Sequence, residues 1–410
     1  MEKEVIVVWS SDLHIGLKTD EIDRTEEIID IALDVVEKAN LYKENGHDTF
    51  LVFGGDVFND NNPSEKVIAS IFPVLNLIKK YDIKTYFIVG NHESVYDPNR
   101  LSCLSFIKKA KAGYPMISVV DDIASIEIGT FDSGKLQFTF LPHITPATIE
   151  MRQRKGKSLE VKSVKDYITK QCNGIVKKLG NGVNHYVFSH LNVSGAHPGS
   201  EENLLKKSEA YLPPVLTNTP YEYSKPVIIQ GHIHSNQIIG NINVIGSPIY
   251  CSFGESGNKY YSVIKIPKTM SEKGKIELVE SKHRPFLQLE LNLMNETKDF
   301  FEIEEVKEFY KKVEKVKEMQ PIVKFDITIN SENNNYSWES YRQRIMSQID
   351  GCYVKPILPK VIAKKHIRSI QQKLGLNPVD AVQVYLKKNL KREPEKAKRI
   401  YKITKKYLGV

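Results

Sequence analysis

The 410-residue sequence predicts an α/β fold whose strands are buried on both faces and alternate with helices. Over residues 1–280, short apolar runs bounded by glycine and polar residues alternate with segments of helical spacing. Apolar runs of this length are typical of strands inside a sheet that is covered on both sides. Five of them lead directly into polar, potentially metal-binding side chains, and these runs lie at residues 6–9, 50–53, 86–89, 186–188 and 227–229.

The connecting segments show the periodicity of helices. Apolar residues at helical spacing predict helices at 24–41 and 64–80, with Pro63 and Ser64 opening the second. The segment 151–182 is first polar and basic and then helical through 163–178. Residues 192–225 contain glycine, proline and asparagine, which predicts long loops. Two further strands, at 260–266 and 275–279, predict a closing hairpin.

A second module begins near Lys282. Leucines 287, 289, 291 and 293 alternate with polar residues, which is the pattern of a half-buried strand. The following periodicity predicts a small β-α-β-α-β unit with a helix at 299–318, a strand at 322–329, a helix at 336–349 and a strand at 352–357. The predicted domains are therefore residues 1–281, residues 282–360 and a tail of residues 361–410.

The tail is predicted to be helical and is strongly basic. Asn377, Pro378 and Asp380 form a good helix start, and apolar residues recur at helical spacing among lysines. Residues 361–410 carry a net charge of +11, whereas residues 1–360 carry −3. A mildly acidic body needs local patches, the tail or a partner to hold a polyanion.

The polar residues after the five apolar runs are those that bind metal ions. Because loops that follow parallel strands meet at one edge of a sheet, these side chains are expected to converge there. The predicted metal ligands are Asp12, His14, Asp56, Asn91, His190, His232 and His234. His92, which directly follows a ligand, is the predicted catalytic residue, a general acid for the leaving alkoxide.

The ligand types favour two first-row divalent ions. Imidazole and carboxylate suit Mn, Fe and Zn, and no thiolate is expected at the site to select a softer metal. Two ions with two aspartates leave a charge of about +2, which favours a phosphodiester. Two such ions stabilise the attacking and the leaving oxygen of an in-line displacement. Asp56, with two oxygens on a central loop, is the expected bridge.

The other histidines lack this context. His47, His185, His283 and His366 are read as ordinary surface or core residues. His143 and His197 either line the cleft or are ordinary residues as well.

The five segments resemble the calcineurin-like metallophosphoesterase superfamily. Within it, the stretch Gly55-Asp56-Val57-Phe58-Asn59-Asp60-Asn61-Asn62-Pro63-Ser64 resembles the GD-x-F-x4-PS stretch of the SbcD and meiotic-recombination-eleven DNA-repair nucleases. The turn Ile245-Gly246-Ser247-Pro248 is also similar to one in that family. The resemblance implies a four-layer β-sandwich flanked by helices, a small α+β capping domain and a helical C-terminal tail.

The resemblance also implies residue roles and partners. One ion would be bound by Asp12, His14, Asp56 and His234, and the other by Asp56, Asn91, His190 and His232, with Mn²⁺ as the usual metal. His92 would be the acid or would stabilise the transition state. The implied function is a Mn-dependent DNA exonuclease and endonuclease, working as a homodimer with an SbcC/Rad-fifty-like coiled-coil ATPase. In relatives, dimerisation uses helices that correspond here to regions near 66–80 and 100–112.

The chain departs from that family at two positions. Many members have a histidine at the position of Asn59, and an asparagine cannot exchange a proton in the physiological range. The family's Asp after Gly-Asn-His is Glu93 here. Protein phosphatases and purple acid phosphatases of the superfamily fit less well, because the second motif lacks their Arg and Tyr.

Composition sets further expectations. No run approaches the ~20 apolar residues of a membrane-spanning helix, and the N-terminus has no secretory pattern. The four cysteines form no CxxC pair and are read as reduced thiols. The sequence thus predicts a protein without membrane association in the cytoplasm of a bacterial or phage-infected cell.

Several alternatives stay open at the level of sequence. The enzyme is either an SbcD-like nuclease subunit or a generic metallophosphodiesterase acting on small esters or nucleotides. A third interpretation is a scaffold that keeps the fold without catalysis. The tail either docks on the ATPase, contacts DNA or is a solvated helical end, and the basic part of 151–182 is either a solvated loop or a DNA contact.

Overall fold

The computed structural model describes most of the chain. The described residues are 3–131, 134–154, 161–179, 183–197, 209–217, 225–267, 274–293, 299–330, 338–349, 351–354, 360–362, 382–384, 386, 398 and 400–402. No helix among them is both long and apolar enough to cross a membrane.

The chain divides into two compact units, Met1–Pro285 and Phe286–Val410. The boundary predicted from the sequence, between residues 281 and 282, lies just before the observed end of the first unit at Pro285. Most of the predicted tail 361–410, including its helix start at 377–380, lies outside the described residues.

The first sheet of the first unit has six strands. Its strands β1, β4, β5 and β6 run parallel, and the hairpin of β13 and β14 is joined antiparallel to β1, so that the order is β14-β13-β1-β4-β5-β6. The bounds are β1 Val5–Ser10, β4 Asp48–Phe53, β5 Lys84–Ile88, β6 Ile117–Val120, β13 Tyr260–Ile266 and β14 Lys275–Glu280.

The second sheet also has six strands, in the order β11-β12-β10-β9-β8-β7. Its central strands β8, β9, β10 and β12 run parallel. The bounds are β7 Ala124–Phe131, β8 Gly134–Leu141, β9 Val183–Ser189, β10 Val227–Gln230, β11 Gln237–Ile239 and β12 Ile242–Val244. A separate two-stranded ribbon pairs β2 Lys18–Thr19 with β3 Ile22–Asp23.

The predicted segments 24–41 and 163–178 form helices, whereas the helices Pro146–Arg154 and Pro214–Thr217 were not predicted, and the second lies in the region 192–225 that was predicted as loops. The bounds of the helices are α1 Thr25–Glu44, α2 Glu65–Ser70, α3 Phe72–Tyr81, α4 Ser105–Lys109, α5 Pro146–Arg154, α6 Val164–Lys178 and α7 Pro214–Thr217. The single helix predicted at 64–80 is wrong, because the segment forms α2 and α3. Pro73 lies in the first turn of α3 and has no N–H for a continuous helix, and Ser64 caps α2 by accepting from the N–H of Val67 at 3.4 Å.

Three apolar cores arrange these elements in layers. The two sheets face each other across a core that contains Trp9, Phe138 and Phe188. The outer face of the first sheet packs on α1 and α3, and that of the second sheet packs on α5 and α6. The predicted four-layer β-sandwich flanked by helices is thereby confirmed.

The second unit is a small parallel α/β layer. Strand β16 pairs in parallel with β15, β17 and β18. The helices and the sheet share a core that includes Phe300, Phe309 and Ile345. The bounds are β15 Phe286–Asn292, β16 Ile322–Asn330, β17 Tyr353–Val354, β18 Lys360–Ile362, α8 Glu304–Val316 and α9 Trp338–Gln348, with single 3-10 turns at Phe300–Glu302 and Lys317–Met319.

Candidate metal centre

The predicted site residues lie on loops that follow the carboxyl ends of five parallel strands from both sheets. The loops after β1, β4 and β5 belong to the first sheet, and those after β9 and β10 belong to the second. The sequence predicted convergence at the edge of one sheet, so the use of two facing sheets is a correction. The loops carry, in this order, Asp12 and His14, Asp56, Asn91 and His92, His190, and His232 and His234.

Backbone hydrogen bonds join these loops. The N–H of Asp12 donates to the carbonyl of Gly55, and that of His14 donates to the carbonyl of Asp56, both at 2.9 Å. The N–H of His232 donates to both carboxylate oxygens of Asp12, at 3.0 and 3.1 Å, which ties the first sheet to the second. The side chains are therefore held by the ends of the sheets rather than by free loops.

Four site residues have a left-handed backbone conformation, which residues other than glycine rarely adopt. The φ angles of Asp12, His14, Asp56 and His232 are +58°, +53°, +50° and +71°. A left-handed backbone at a residue other than glycine costs on the order of 1–3 kcal/mol and persists only when its surroundings fix it. Such strain concentrates where function demands a given side-chain position.

One group of candidate ligand atoms consists of side-chain atoms of Asp56, His190 and His232. The Nε2 atom of His190 lies 3.3 Å from Asp56 Oδ2 and 2.9 Å from Asn91 Oδ1. Its Nδ1 faces the carbonyl of Gly54 at 2.7 Å, and because a carbonyl only accepts, that nitrogen carries the proton. Nε2 faces the oxygens of Asp56 and Asn91, and it would bind a metal once its own proton is released.

His232 presents its other nitrogen to the same group. Its Nε2 lies 2.8 Å from Asn192 Oδ1, which requires a proton there. Its Nδ1 is buried without a hydrogen-bond partner among the described atoms. A buried lone pair without a partner is costly, and a bound cation would remove that cost.

A second group contains His14 and His234. Their Nε2 atoms lie 3.2 Å apart, and His234 Nε2 lies 3.9 Å from Asp12 Oδ1. His234 Nδ1 faces Glu255 Oε1 at 3.1 Å, which directs Nε2 toward His14. Two imidazole nitrogens this close are typical of ligands to one ion, since two ligands about 2.1 Å from a metal are roughly 3 Å apart.

Asp56 lies between the two groups. Its carboxylate belongs both to the group with His190 and His232 and to a group with His14 and His92. Burial opposes its ionisation, but the neighbouring His190 brings the pKa of Asp56 well below its usual range. Burial likewise opposes the charge on His190, and Asp56 still raises the pKa of His190 to about 9. Asp56 is thus anionic and shared, as a bridging ligand must be.

Burial disfavours protonation of two of the histidines. It lowers the pKa of His14 and of His232 well below the usual range, and neighbouring histidines add to the effect. Neutral imidazole is the form that binds metal. These donors suit divalent first-row ions, and when bound, such ions polarise a phosphoryl oxygen and lower the pKa of water.

His92 lies beside this centre and is held by the second motif. Its N–H donates to Asp56 Oδ1 at 2.9 Å, and its Nδ1 lies 2.5 Å from the backbone carbonyl of Asn59. That contact places a proton on Nδ1, so Nε2 is the ring nitrogen that can take up or release a further proton. Because Asn59 acts through its backbone here, its side-chain type does not affect this contact.

In the sequence, Glu93 stood out only as a mild departure from the family's Asp. In the structure, it connects the loop after β4 with the loop after β5. Its buried carboxylate accepts the N–H groups of Asp56 at 3.0 Å, Phe58 at 2.7 Å and Gly90 at 2.8 Å. Burial, reinforced by the charge of Asp56, raises the pKa of Glu93 to about 7. Glu93 is therefore a positioning residue for the Asp56 loop.

Further positioning residues were missed by the sequence reasoning. Glu255 holds His234, and buried Lys259 contacts Glu255, Ser247 Oγ at 3.1 Å and the carbonyl of His234 at 3.2 Å. Burial opposes ionisation of Glu255, but His234 and Lys259 lower its pKa to about 2. Asn192, two residues after His190, could have been found by its spacing, whereas Glu255 follows His234 by 21 residues and carries no local signal.

The remaining histidines separate clearly. His143 is buried beside the centre, with its ring centroid 6.4 Å from that of His232 and its Nδ1 2.9 Å from Ser94 Oγ. His197 is exposed. His47 contacts Glu4, His185 contacts Thr139 and His283 contacts Ser281, as ordinary surface or core histidines do. His366 lies outside the described residues.

A glycine allows the third motif to approach Asp56. A Cβ on Gly90 would overlap Asp56 Oδ1 and the Asp56 backbone nitrogen. We expect Gly90→Ala to displace Asp56 and to weaken Mn²⁺ binding, measured by isothermal titration calorimetry, at least about tenfold, since even outer-shell changes cost 10–100-fold.

The matched control is Gly174→Ala in helix α6, where an added Cβ meets no atom within 4 Å. It should leave Mn²⁺ binding unchanged and stabilise the fold by up to about 1 kcal/mol. Unchanged Mn²⁺ affinity in Gly90→Ala would contradict the assignment of Asp56 as a ligand.

Comparison with known proteins identifies the family of the chain. The calcineurin-like phosphoesterase family model matches residues 7–236, which is more than half of the chain. The chain therefore belongs to the calcineurin-like phosphoesterase family, whose members hydrolyse phosphoesters with divalent metals.

Two solved structures are also similar to the chain. The TT1561 protein of Thermus thermophilus matches at 11% identity with a TM-score of 0.36, covering 67% of this chain and 98% of that one. A cold-active protein-tyrosine phosphatase of a psychrophilic Shewanella species matches at 13% identity with a TM-score of 0.26, covering 68% and 80%. No curated protein matches the sequence.

Proposed function

We propose that this phosphoesterase is a Mn²⁺-dependent DNA exonuclease and endonuclease, the nuclease subunit of an SbcCD-like complex for DNA break repair. The observation that carries the proposal is the shared position of Asp56 between two groups of metal ligands, with His92 beside them. The proposed ligands are Asp12, His14, Asp56 and His234 for one ion, and Asp56, Asn91, His190 and His232 for the other.

The reaction assigns separate tasks to these residues. The ligand residues would hold two ions, which would supply charge neutralisation at the phosphodiester and a more acidic water. Asp56 fixes the two ligand groups relative to one another. His92, protonated on both ring nitrogens and held at Nδ1 by the carbonyl of Asn59, donates its Nε2 proton to the leaving sugar oxygen and becomes the neutral Nδ1–H imidazole.

DNA as substrate is supported by the segment that follows Asp56. Residues 55–64 resemble the nuclease motif, and the same segment supplies the carbonyl that orients His92 and the serine that caps α2. The segment 55–64, which resembles the nuclease motif, thus also orients the ring of His92, the proposed acid.

The partners follow from the same resemblance. We propose a homodimer formed through α2, α3 and α4, an SbcC/Rad-fifty-like ATPase bound by the basic tail, and a cytoplasmic location. The charge of +11 on residues 361–410 supports an interaction role for the tail, with direct contact to DNA as the other interpretation.

The proposal is tested by titrating Mn²⁺ into the full chain with end-labelled linear duplex DNA, and with a chromogenic phosphodiester in parallel. We expect Mn²⁺-dependent release of nucleotides from DNA, abolished by a chelator. Turnover of the small ester with intact DNA would overturn the nuclease assignment in favour of a generic phosphodiesterase. A lack of turnover of either compound would favour a scaffold without catalysis.

A further inference from the structure

A thiol lies beside the first group of metal ligands. The sulfur of Cys251 and ring nitrogens of His14 and His234 all lie within 4.8 Å of one another. None of the five sequence segments contains Cys251, so the expectation that no thiolate reaches the site does not hold for the folded chain.

We propose that Cys251 is a further ligand at the position of Asp12, His14 and His234, and that it makes this position selective for a thiophilic divalent ion such as Zn²⁺ over Mn²⁺. This inference rests on the metal centre of the proposed function. It extends that function, because the second position, with Asp56, Asn91, His190 and His232, keeps donors that suit Mn²⁺.

The distances allow such a ligand. Sulfur binds Zn²⁺ at about 2.3 Å and imidazole nitrogen at about 2.1 Å, so neighbouring ligands of one ion lie roughly 3–4 Å apart. The three atoms lie within 4.8 Å of one another and would have to approach by roughly 1–2 Å at most. Asp12 Oδ1, 3.9 Å from His234 Nε2, and the shared carboxylate of Asp56 would add oxygen donors to the two imidazoles and the thiolate.

The loop of Cys251 is fixed to the centre from both sides. The carbonyl of Tyr250 accepts a hydrogen bond from Nη1 of Arg24, a fully buried residue that also pairs with Glu27. Farther along the loop, Lys259 and Glu255 bind His234. A thiol on a loop held in this way does not depend on a mobile segment to reach the ion.

Donor chemistry explains the expected selectivity. Thiolate favours Zn²⁺ and other soft ions, whereas Mn²⁺ prefers oxygen donors, and divalent affinity already rises from Mn²⁺ toward Zn²⁺. A metal would deprotonate the thiol that binds it, so Asp12 and Cys251 would contribute a charge of −2 at this position, in addition to the carboxylate of Asp56 that the two positions share.

The other cysteines provide controls. Cys172 is buried on α6 in the outer core of the second sheet, and Cys103 and Cys352 are half-buried. None of these three belongs to a metal-binding group found among the described residues. Cys352 lies in the second unit and is the matched control for loss of a half-buried thiol.

The test is a Co²⁺ titration of the reduced full chain, followed by absorption spectroscopy. Co²⁺ replaces Zn²⁺, and a thiolate ligand produces an intense near-ultraviolet charge-transfer band. We expect this band in the natural chain and in Cys352→Ser, and its loss in both Cys251→Val and Cys251→Ser. Valine retains the apolar packing of Cys251, and serine retains its size, so that one folded variant suffices.

Metal content gives a second readout. After dialysis against equal Zn²⁺ and Mn²⁺, elemental analysis should find Zn²⁺ in the natural chain and at least about a tenfold lower Zn²⁺ to Mn²⁺ preference at one site in Cys251→Val. Bound Co²⁺ with d–d bands and no charge-transfer band would overturn the role of Cys251 and leave the metal centre intact. No bound Co²⁺ in any form would overturn both.

Discussion

Replacing His92 with alanine is expected to lower DNA cleavage by about 10²–10⁴-fold, which is the usual contribution of a general acid. His92 Nδ1 is occupied by the carbonyl of Asn59, so Nε2 is available to protonate the leaving sugar oxygen, a poor leaving group. A chromogenic phosphodiester releases a stable phenolate that needs no proton. The same variant should therefore lose much less activity on that ester, measured as kcat on each substrate.

The control for this experiment is His47→Ala. His47 precedes β4, at the opposite end of the strand from Asp56, and its ring contacts the N–H of Glu4. It should cleave both substrates like the natural chain. An equal loss on DNA and ester in His92→Ala, accompanied by a lower Mn²⁺ stoichiometry, would show that His92 is a metal ligand instead of an acid.

The strands buried on both faces were predictable because burial leaves a direct trace in the sequence, whereas the four-layer arrangement was implied by the family resemblance. Apolar runs on the five strands before the site exist because each strand is covered by a sheet on one side and helices on the other. The break between α2 and α3 was predictable in principle from Pro73, but the apolar periodicity runs through it. Periodicity reports which face is buried, and it does not report whether the backbone hydrogen bonds continue.

The candidate ligand residues could be proposed from the sequence because they stand directly after strands, whereas the residues that support them could not. Glu255, Lys259 and Cys251 approach the centre through a loop whose position depends on contacts with Arg24 and Ser247. Such contacts join residues more than two hundred positions apart in the case of Arg24 and Tyr250, and no local pattern encodes them. The metal preference that we propose for the first position therefore could not be derived from the five motifs.

Replacing Glu93 with alanine is expected to destabilise the metal-free chain by about 3 kcal/mol or more and to abolish tight Mn²⁺ binding. The substitution leaves the buried N–H groups of Asp56, Phe58 and Gly90 without their acceptor, and each unsatisfied buried donor costs about 1–3 kcal/mol. The free energy of unfolding from urea titration and the Mn²⁺ affinity from calorimetry measure the two effects.

Two variants separate positioning from charge in this experiment. Glu93→Gln keeps one acceptor oxygen, so it should lose less stability than alanine and retain part of the Mn²⁺ affinity. Glu127→Ala removes a half-exposed glutamate that pairs with Lys135 at 2.9 Å, and it should change the free energy of unfolding by less than about 1 kcal/mol. The hydrogen bonds described for Glu93 join it to backbone N–H groups of the ligand loops. If a folded Glu93→Ala chain binds Mn²⁺ with normal affinity, the left-handed backbone of Asp56 is held by the strands and does not need Glu93.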